Sequence, residues 1–228
     1  MPFKDFEFTD SIKLRITKRS SSRKLRLSIA SSNLIKVSIP KWTPYALGLK
    51  FANSKKKWIL EKLPEAHHYY QDQLIAKYHT LKLVNGDYHR ISSRIIDQDI
   101  RVLFPKTIKG DDPQLIQAIE KAIDKALLVE GQDLLPKRVQ QLARINNFEY
   151  QGIKFKKLKS KWGSCDVQQI ITLNIRLMLL PWELIDYVII HELCHLEHMN
   201  HSERFWMKVE GIIPNYKQLR KQIKSYHY

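Results

Sequence analysis

The stretch HELCHLEHMNH, residues 191–201, places four histidines within eleven positions. His191 and His195 are four residues apart, so on a helix both imidazoles leave the same face about one turn apart. Two imidazoles placed in this way can share one Zn²⁺ at about 2.0–2.1 Å each. Glu192 is rotated by about 100° from His191, so its carboxylate can reach a water on the metal better than the metal itself. The spacing therefore predicts a hydrolytic zinc site with Glu192 as general base.

The third ligand could be His198 or His201; Cys165 is a further possible ligand, but three histidines and a water already complete a catalytic zinc site. His198 follows His191 by seven residues, about 10.5 Å along a helix axis, and three ligands on one straight helix cannot converge on a tetrahedral ion. His201 can turn back if the helix breaks after His195, as in the pattern HExxHxxGxxH, where Gly makes the break. His198 occupies the Gly position here, so we expect Asn200 to end the helix in a left-handed conformation. We predict His191, His195 and His201 as ligands, with His198 at the rim of the site or hydrogen-bonded to a ligand.

The alternative for this stretch is an amphipathic helix whose histidines face solvent. The preceding residues LIDYVII are apolar enough to bury the helix. Buried histidines and a buried glutamate would be costly without a metal or other partners. We therefore favour the metal site.

Composition limits the class of protein. The 228 residues carry a net charge of +16, and 43% of them are hydrophobic, which is ordinary for a globular protein with a real core. No apolar run approaches the ~20 residues of a membrane span, and the first residues contain no secretory signal. With two cysteines only, we expect a cytoplasmic protein that contacts no membrane. The positive charge suggests a polyanionic partner, nucleotide or nucleic acid, although a solvated basic surface is the simpler explanation.

The pattern of apolar residues divides the chain into two halves. Residues 1–110 are rich in alternating, strand-like segments with many Lys and Arg residues, interrupted by a helix from Tyr45 to about Leu63. Residues 111–228 begin with the helix start Asp112-Pro113, which we expect to run to a stop at Gly131 and to be followed by a second helix up to Ile145. Two strands and further helices follow, and we detect no internal repeat. The predicted class is α+β.

The chain resembles the YgjP-like family of predicted zinc metallopeptidases, relatives of the SprT and WLM proteases, closely in its second half and more loosely in its first. The matching stretches are KWGSC at 161–165, TLNIRL at 172–177, PWELIDYVIIHELCHL at 181–196 and HSERFW at 201–206. The resemblance covers most of the chain. It implies a minimal zincin-like metallopeptidase core with an HExxH active-site helix, preceded by a β-rich region, and it implies His201 as the third zinc ligand.

Substrate contacts are expected along the predicted strand 170–178. Asn174 and Arg176 are two residues apart and share one face of that strand. If the strand borders the cleft, they could bind the backbone or a carboxylate of a peptide or protein substrate lying extended along its edge. The alternative is that they face solvent.

Two other functions remain open at this point. Hydrolysis of uridine triphosphate (UTP), a pyrophosphatase reaction at the same metal site, has been attributed to YgjP-like proteins, so the resemblance itself raises it. The sequence has no GxxxxGK[ST] loop and no carboxylate cluster for a second metal. The other function is that of a nucleic-acid-associated, SprT-like protease, which a basic N-terminal half would suit.

Overall fold

The structure, a computed structural model, describes residues 2–9, 12–31, 34–62 and 69–226 and is of the mixed α+β class. The predicted class and the β-rich first half are confirmed. The chain forms two compact units, Met1–His68 and Tyr69–Tyr228. This division differs from the boundary that we placed after residue 110, because the strands of residues 73–105 share a core with the helices that follow them. None of the helices in the described ranges combines the length and apolar composition needed to cross a membrane.

The first unit is a four-stranded sheet with two helices. Its elements are β1 (Phe3–Thr9), β2 (Ile12–Arg19), β3 (Arg26–Ser31), β4 (Leu34–Pro40), α1 (Tyr45–Ser54) and α2 (Lys56–Lys62). The strand order is β1-β2-β4-β3, with β2 and β4 parallel. Alternate residues of β2 and β4 point to one face, where they form a core with Ala52 and Ile59 of the helices. The helix predicted from Tyr45 is two helices that meet at Lys55, and Leu63 lies outside the described residues.

The second unit begins with another four-stranded sheet. Its strands are β5 (Gln73–Leu74), β6 (Thr80–Gly86), β7 (Ser92–Ile96) and β8 (Asp99–Pro105), and the long helix α3 (Pro113–Ile145) follows. Ile100, Val102 and Phe104 of β8 are buried while the residues between them are partly exposed. This alternation is the one expected of a strand with one face on a core. The buried face packs against α3 through residues such as Leu115 and Ile119.

The two four-stranded sheets have the same connectivity, a repeat that we did not detect in the sequence. The second sheet has the order β5-β6-β8-β7, with β6 and β8 parallel and β7 antiparallel to β8. The first sheet has the same arrangement in β1-β2-β4-β3. The last strands, LIKVSIP and DIRVLFP, both end in a proline, Pro40 and Pro105. The two sheets share strand order and strand direction but few identical residues, so the repeat is not visible in the sequence.

Helix α3 is continuous where the sequence predicted two helices. Asp112 caps it as expected, since its carboxylate accepts the N–H of Gln114 at 2.7 Å. Gly131 and Pro136 lie inside it. Glu130, just before Gly131, is fully buried, and its carboxylate accepts the backbone N–H groups of residues 77, 78 and 79 and the imidazole of His79. These bonds and the packing hold the helix in the core across the predicted stop.

The remaining elements form a small sheet and three helices. They are β9 (Gly152–Lys156), β10 (Gly163–Cys165), β11 (Ile170–Asn174), a 3-10 helix (Ile175–Leu179), α4 (Trp182–Cys194), α5 (Glu203–Ile212), α6 (Tyr216–Gln222) and a last 3-10 turn (Ile223–Ser225). The strand order is β10-β11-β9, so β10 is an edge strand and β11 is paired on both sides. Helix α4 contacts β10, β11, α3, α5 and α6, which places it at the centre of the unit.

Candidate metal centre

Helix α4 carries the first residues of the predicted site in its last turn. Between Leu184 and Cys194 every residue is buried except Asp186 and His191, which are half-buried. Asp186 forms an ion pair with Arg138 of α3, which helps to hold α4 against α3. The apolar stretch before the histidines therefore buries the helix, as the sequence indicated.

The three predicted ligands, His191, His195 and His201, converge at the C-terminal end of α4. Each offers one ring nitrogen, and these three atoms lie within 4.8 Å of one another. The Nε2 atoms of His191 and His201 are 3.0 Å apart. Two ligands of a tetrahedral zinc ion would be separated by roughly 3.3 Å, since each lies about 2.0–2.1 Å from the metal. The arrangement is therefore of the size that one metal ion requires.

The helix ends between the second and third histidines. Its last residue is Cys194, His195 is the C-cap, and the carbonyl of Cys194 accepts the N–H of His198 at 3.0 Å. The carbonyl of His198 in turn accepts the Nδ1–H of His195 at 2.9 Å. Our expectation of a left-handed Asn200 is wrong: in the described ranges positive φ angles occur at other non-glycine residues, and the turn is made by hydrogen bonds around His195. The backbone of His198, not its imidazole, contacts the ligand.

Two aromatic side chains of α5 pack against the three imidazoles. Phe205 is fully buried, and its ring stacks on His195 with 4.5 Å between centroids. It meets His191 and His201 edge-on, each at 4.9 Å. Trp206 stacks on His201 at 5.5 Å. These contacts restrict rotation of the imidazoles and hold their nitrogens toward one another.

The three imidazoles suit a divalent metal in their chemistry as well as their spacing. Burial lowers the pKa of each, and that of His191 falls to about 3, helped by the neighbouring His195 and His201. The neutral imidazole is the form that binds a metal. Because Nδ1 of His195 donates to a carbonyl, its Nε2 is left as an acceptor for the metal. Three neutral nitrogens leave a fourth tetrahedral position for water or substrate.

Glu192 lies beside the histidines on the floor of the cleft. Only 5% of its surface is exposed, and this burial raises the pKa of its carboxyl to about 8. The charge of Lys161 and the backbone N–H of Cys165, which donates to the carboxylate, act in the opposite direction. The carboxylate, which α4 supplies, is thus held by the backbone of β10.

Gly163 of β10 lies in direct contact with the side chain of Glu192. A Cβ atom at position 163 would be 2.7 Å from Oε1 and within 2.9 Å of two side-chain carbons of Glu192. Real Cβ atoms do not approach other atoms so closely. Only glycine lets the strand lie this near to the carboxylate, which gives the KWGSC stretch a physical reason for its glycine.

The cleft in front of the histidines is lined by β10 and the helices. Besides Glu192 and the ligands, its walls comprise residues 161–165, Tyr187, Val188, Met199 and Ile223. The sequence pattern predicted the histidines and the glutamate, but not these walls. The KWGSC stretch was a signal for residues 161–165, whereas nothing local indicated that Ile223, near the C-terminus, returns to the site.

Asn174 and Arg176 do not line this cleft. Asn174 is fully buried, and its amide donates to the carbonyls of Leu158 and Lys161 while its oxygen accepts the N–H of Arg176. Its side chain thus fixes the loop before β10 and cannot reach a substrate. Arg176 lies in the 3-10 helix that follows β11 and not in the strand. The predicted strand cannot offer an edge to a substrate, because β11 is paired on both sides; β10 is the edge strand that lines the cleft.

Three histidines that converge beside a buried glutamate are typical of metal-dependent hydrolases. A family model described as YgjP-like, metallopeptidase domain, matches residues 23–226. The chain therefore belongs to the YgjP-like metallopeptidase family and is a peptidase-type hydrolase. The resemblance seen in the sequence is confirmed.

Two solved archaeal structures are similar to part of the chain. The metallopeptidase zymogen abylysin of Pyrococcus abyssi is 24% identical, with a TM-score of 0.38, over 40% of this chain and 93% of its own. The metallopeptidase zymogen jannalysin of Methanocaldococcus jannaschii is 23% identical, with a TM-score of 0.35, over 38% of this chain and 90% of its own. None of the curated proteins compared with the chain matches it significantly.

Replacing His201 tests the third ligand. His201→Ala removes one of the three converging nitrogens, so we expect metal affinity to fall by more than about 100-fold. His198→Ala keeps the carbonyl that holds His195 and should retain most of the metal. Metal content of both purified variants, measured by atomic emission, decides between them. Loss of metal in His198→Ala with retention in His201→Ala would reverse the assignment.

Replacing Gly163 tests the packing of Glu192. Gly163→Ala should displace the Glu192 carboxylate and reduce peptide hydrolysis by about 100-fold or more, the usual contribution of a general base. Metal content should stay unchanged, because the three atoms nearest to the added methyl group all belong to Glu192 and none to a metal ligand. Gly152→Ala, in β9 of the same sheet, meets no atom within 4 Å and is the matched control. Equal rates for the two variants would contradict the assigned contact.

Proposed function

We propose that this protein is a zinc-dependent metallopeptidase with a minimal zincin-like core, in which Glu192 is the general base. One observation carries the proposal: three neutral imidazoles converge within 4.8 Å while Glu192, adjacent to the first of them, is buried at the same cleft. Three histidine ligands with one open position are typical of catalytic zinc sites. Both cysteines are free thiols, which is compatible with the reducing cytoplasm where we propose that the protein acts.

The chemistry then divides between the metal and the chain. When bound, zinc supplies a Lewis acid that polarises the scissile carbonyl and makes water more acidic. Glu192 takes a proton from the attacking water at its carboxylate and delivers it to the leaving amine. The N–H of Cys165 orients that carboxylate, and a nearby dication favours its ionised form over the protonated form that burial favours.

The edge of β10 offers a place for an extended peptide. The N–H of Asn174 donates to the carbonyl of Trp162 at 2.9 Å, and the next opposed pair is Gly163 with Leu173. Opposed residues of antiparallel strands alternate between hydrogen-bonded and non-bonded pairs, so the peptide groups of Gly163 point away from β11. The N–H of Cys165, two residues on, points the same way and reaches Glu192. A substrate strand adding to this edge would lie along the cleft.

Replacing Glu192 tests the mechanism. Glu192→Gln keeps the size of the side chain and all three ligands, so we expect normal metal content and a loss of peptide hydrolysis of about 100-fold or more. Glu197→Gln, an exposed glutamate just after the helix, is the matched control and should keep full activity. The assay follows cleavage of a peptide mixture by mass spectrometry. Near-normal cleavage by Glu192→Gln rules it out as the base.

UTP is the competing substrate in the same assay. A zinc-loaded protein that hydrolyses UTP and leaves every peptide intact would replace the peptidase proposal with the nucleotide pyrophosphatase alternative. Loss of that activity in Glu192→Gln would then place the nucleotide reaction at the same centre.

We also propose that the first unit binds a polyanion, nucleotide or nucleic acid. Residues 1–68 hold fifteen of the 39 Lys and Arg residues but only five of the 23 Asp and Glu residues. On the sheet, Arg15 is paired with Asp5 and packs over Phe3, so it is less available to a polyanion. The exposed cations of the segment joining β2 and β3 are the better candidates: Arg19, Arg23, Lys24 and Arg26.

Salt dependence tests this second proposal. Each phosphate that the protein neutralises releases counterions, so the affinity for single- and double-stranded DNA should fall steeply between about 50 and 200 mM salt. Changing Arg23, Lys24 and Arg26 to Glu should abolish binding and leave metal content unaltered. The same reversal at Lys154, Lys156 and Lys159, exposed lysines near β9, is the control for net charge. If the native protein does not bind DNA, RNA or UTP at low salt, the basic residues form only a solvated surface and the proposal is wrong.

A further inference from the structure

Two cations border the metal centre from different elements. Lys161, in the loop before β10, lines the cleft beside Glu192. Arg220 lies in α6, one turn before Ile223, which also lines the cleft. The mouth of the cleft is therefore flanked by positive charge on the strand side and on the helix side.

Arg220 is held beside the ligands by an aromatic platform. Its guanidinium carbon lies 4.5 Å from the centroid of Trp206, whose ring stacks on His201 at 5.5 Å. Trp206 also stacks on Tyr216 at 5.3 Å, so the platform is itself fixed. A planar guanidinium stacked on an indole keeps its N–H donors free at its edge.

The described residues offer neither cation an acidic partner within ion-pair distance. Neighbouring lysines do find one: Lys217, on the same helix, pairs with Glu210 at 3.3 Å, and Lys208 of α5 pairs with Glu197 at 3.0 Å. All three cations lie over an aromatic ring, but among the described residues Arg220 alone of the three has no carboxylate partner, so its donors remain available. That combination is the one that binds a planar carboxylate through two parallel hydrogen bonds.

We propose that Arg220 binds an anionic group of the substrate, so that the enzyme selects peptides with a carboxylate near the scissile bond. Lys161 contributes charge from the other side of the cleft. This inference rests on the proposed peptidase function, and it adds the substrate class. A phosphate would satisfy the same guanidinium, so the test has to separate a carboxylate from a phosphate.

Binding of two small chelators measures the selection without hydrolysis. N-acetyl-glutamyl hydroxamate and N-acetyl-glutaminyl hydroxamate have the same metal-binding group and differ by a carboxylate against a carboxamide. By titration calorimetry on the zinc-loaded full chain, we expect the carboxylate compound to bind about fivefold more tightly, as a partly exposed charged hydrogen bond allows. In Arg220→Gln the ratio should fall to about one, and Arg220→Lys should keep part of it. Lys221→Gln, an exposed cation on the same helix, should leave the ratio unchanged.

The outcomes separate this inference from the proposed function. Glu192→Gln should keep the binding ratio of the native protein, because selection does not need the base. An intact ratio without any peptide cleavage would preserve anion binding by Arg220 and reject the peptidase reaction. An equal loss of affinity for both chelators in Arg220→Gln, or a native ratio of one, would overturn the inference in favour of a purely structural stack on Trp206. UTP that displaces the chelators through Arg220 and is hydrolysed, while peptides are not, would assign the site to phosphate instead.

Discussion

The site depends on one constraint, which is that the helix carrying the first two histidines has to end before the third. A continuous helix would separate His195 and His201 by about 9 Å along its axis, too far for one metal ion. The chain ends the helix at Cys194, where the N–H of His198 closes the turn and the carbonyl of His198 orients His195. Ser202 caps the next helix directly after His201, which brings Phe205 and Trp206 against the imidazoles. Convergence of the ligands and the stacking platform for Arg220 both follow from this turn.

The ligands were predictable because their geometry is local. A four-residue spacing on a helix fixes the relation of His191 to His195, and the failure of one straight helix to hold three ligands points to His201. The means of ending the helix were not predictable, since a left-handed residue and a hydrogen-bonded turn both satisfy the same spacing. The surroundings of Glu192 depend on contacts between distant residues. The KWGSC stretch by itself does not indicate that Gly163 contacts the carboxylate of Glu192, 29 positions later.

In the fold, too, the features set by neighbouring residues were predictable and those set by contacts between distant residues were not. Alternation predicted the strands, yet strand order follows from parallel pairs such as β2 with β4, which join residues far apart in sequence. Contacts between distant residues also set the boundary between the units. Strand β8 packs on α3 in one core, although the sequence pattern changes from strand-like to helical between them. Gly131 and Pro136 favour helix ends on propensity alone. The buried bonds of Glu130 and the packing of the helix outweigh that preference.

The apolar side chains lie in the floor of the cleft and the charged side chains at its borders, and this separation affects which substrates the cleft can select. Its floor contains the buried side chains of Tyr187, Val188 and Ile223, which offer an incoming residue apolar contact but little discrimination between apolar groups. Lys161 and Arg220 are exposed at its borders, where their fields extend over several ångströms and steer an approaching anion before contact is made. A bidentate hydrogen bond is also directional, so a carboxylate held by Arg220 would fix the register of a peptide along β10. Selection by one ordered cation would thus decide which bond reaches Glu192, while the edge strand holds any extended backbone.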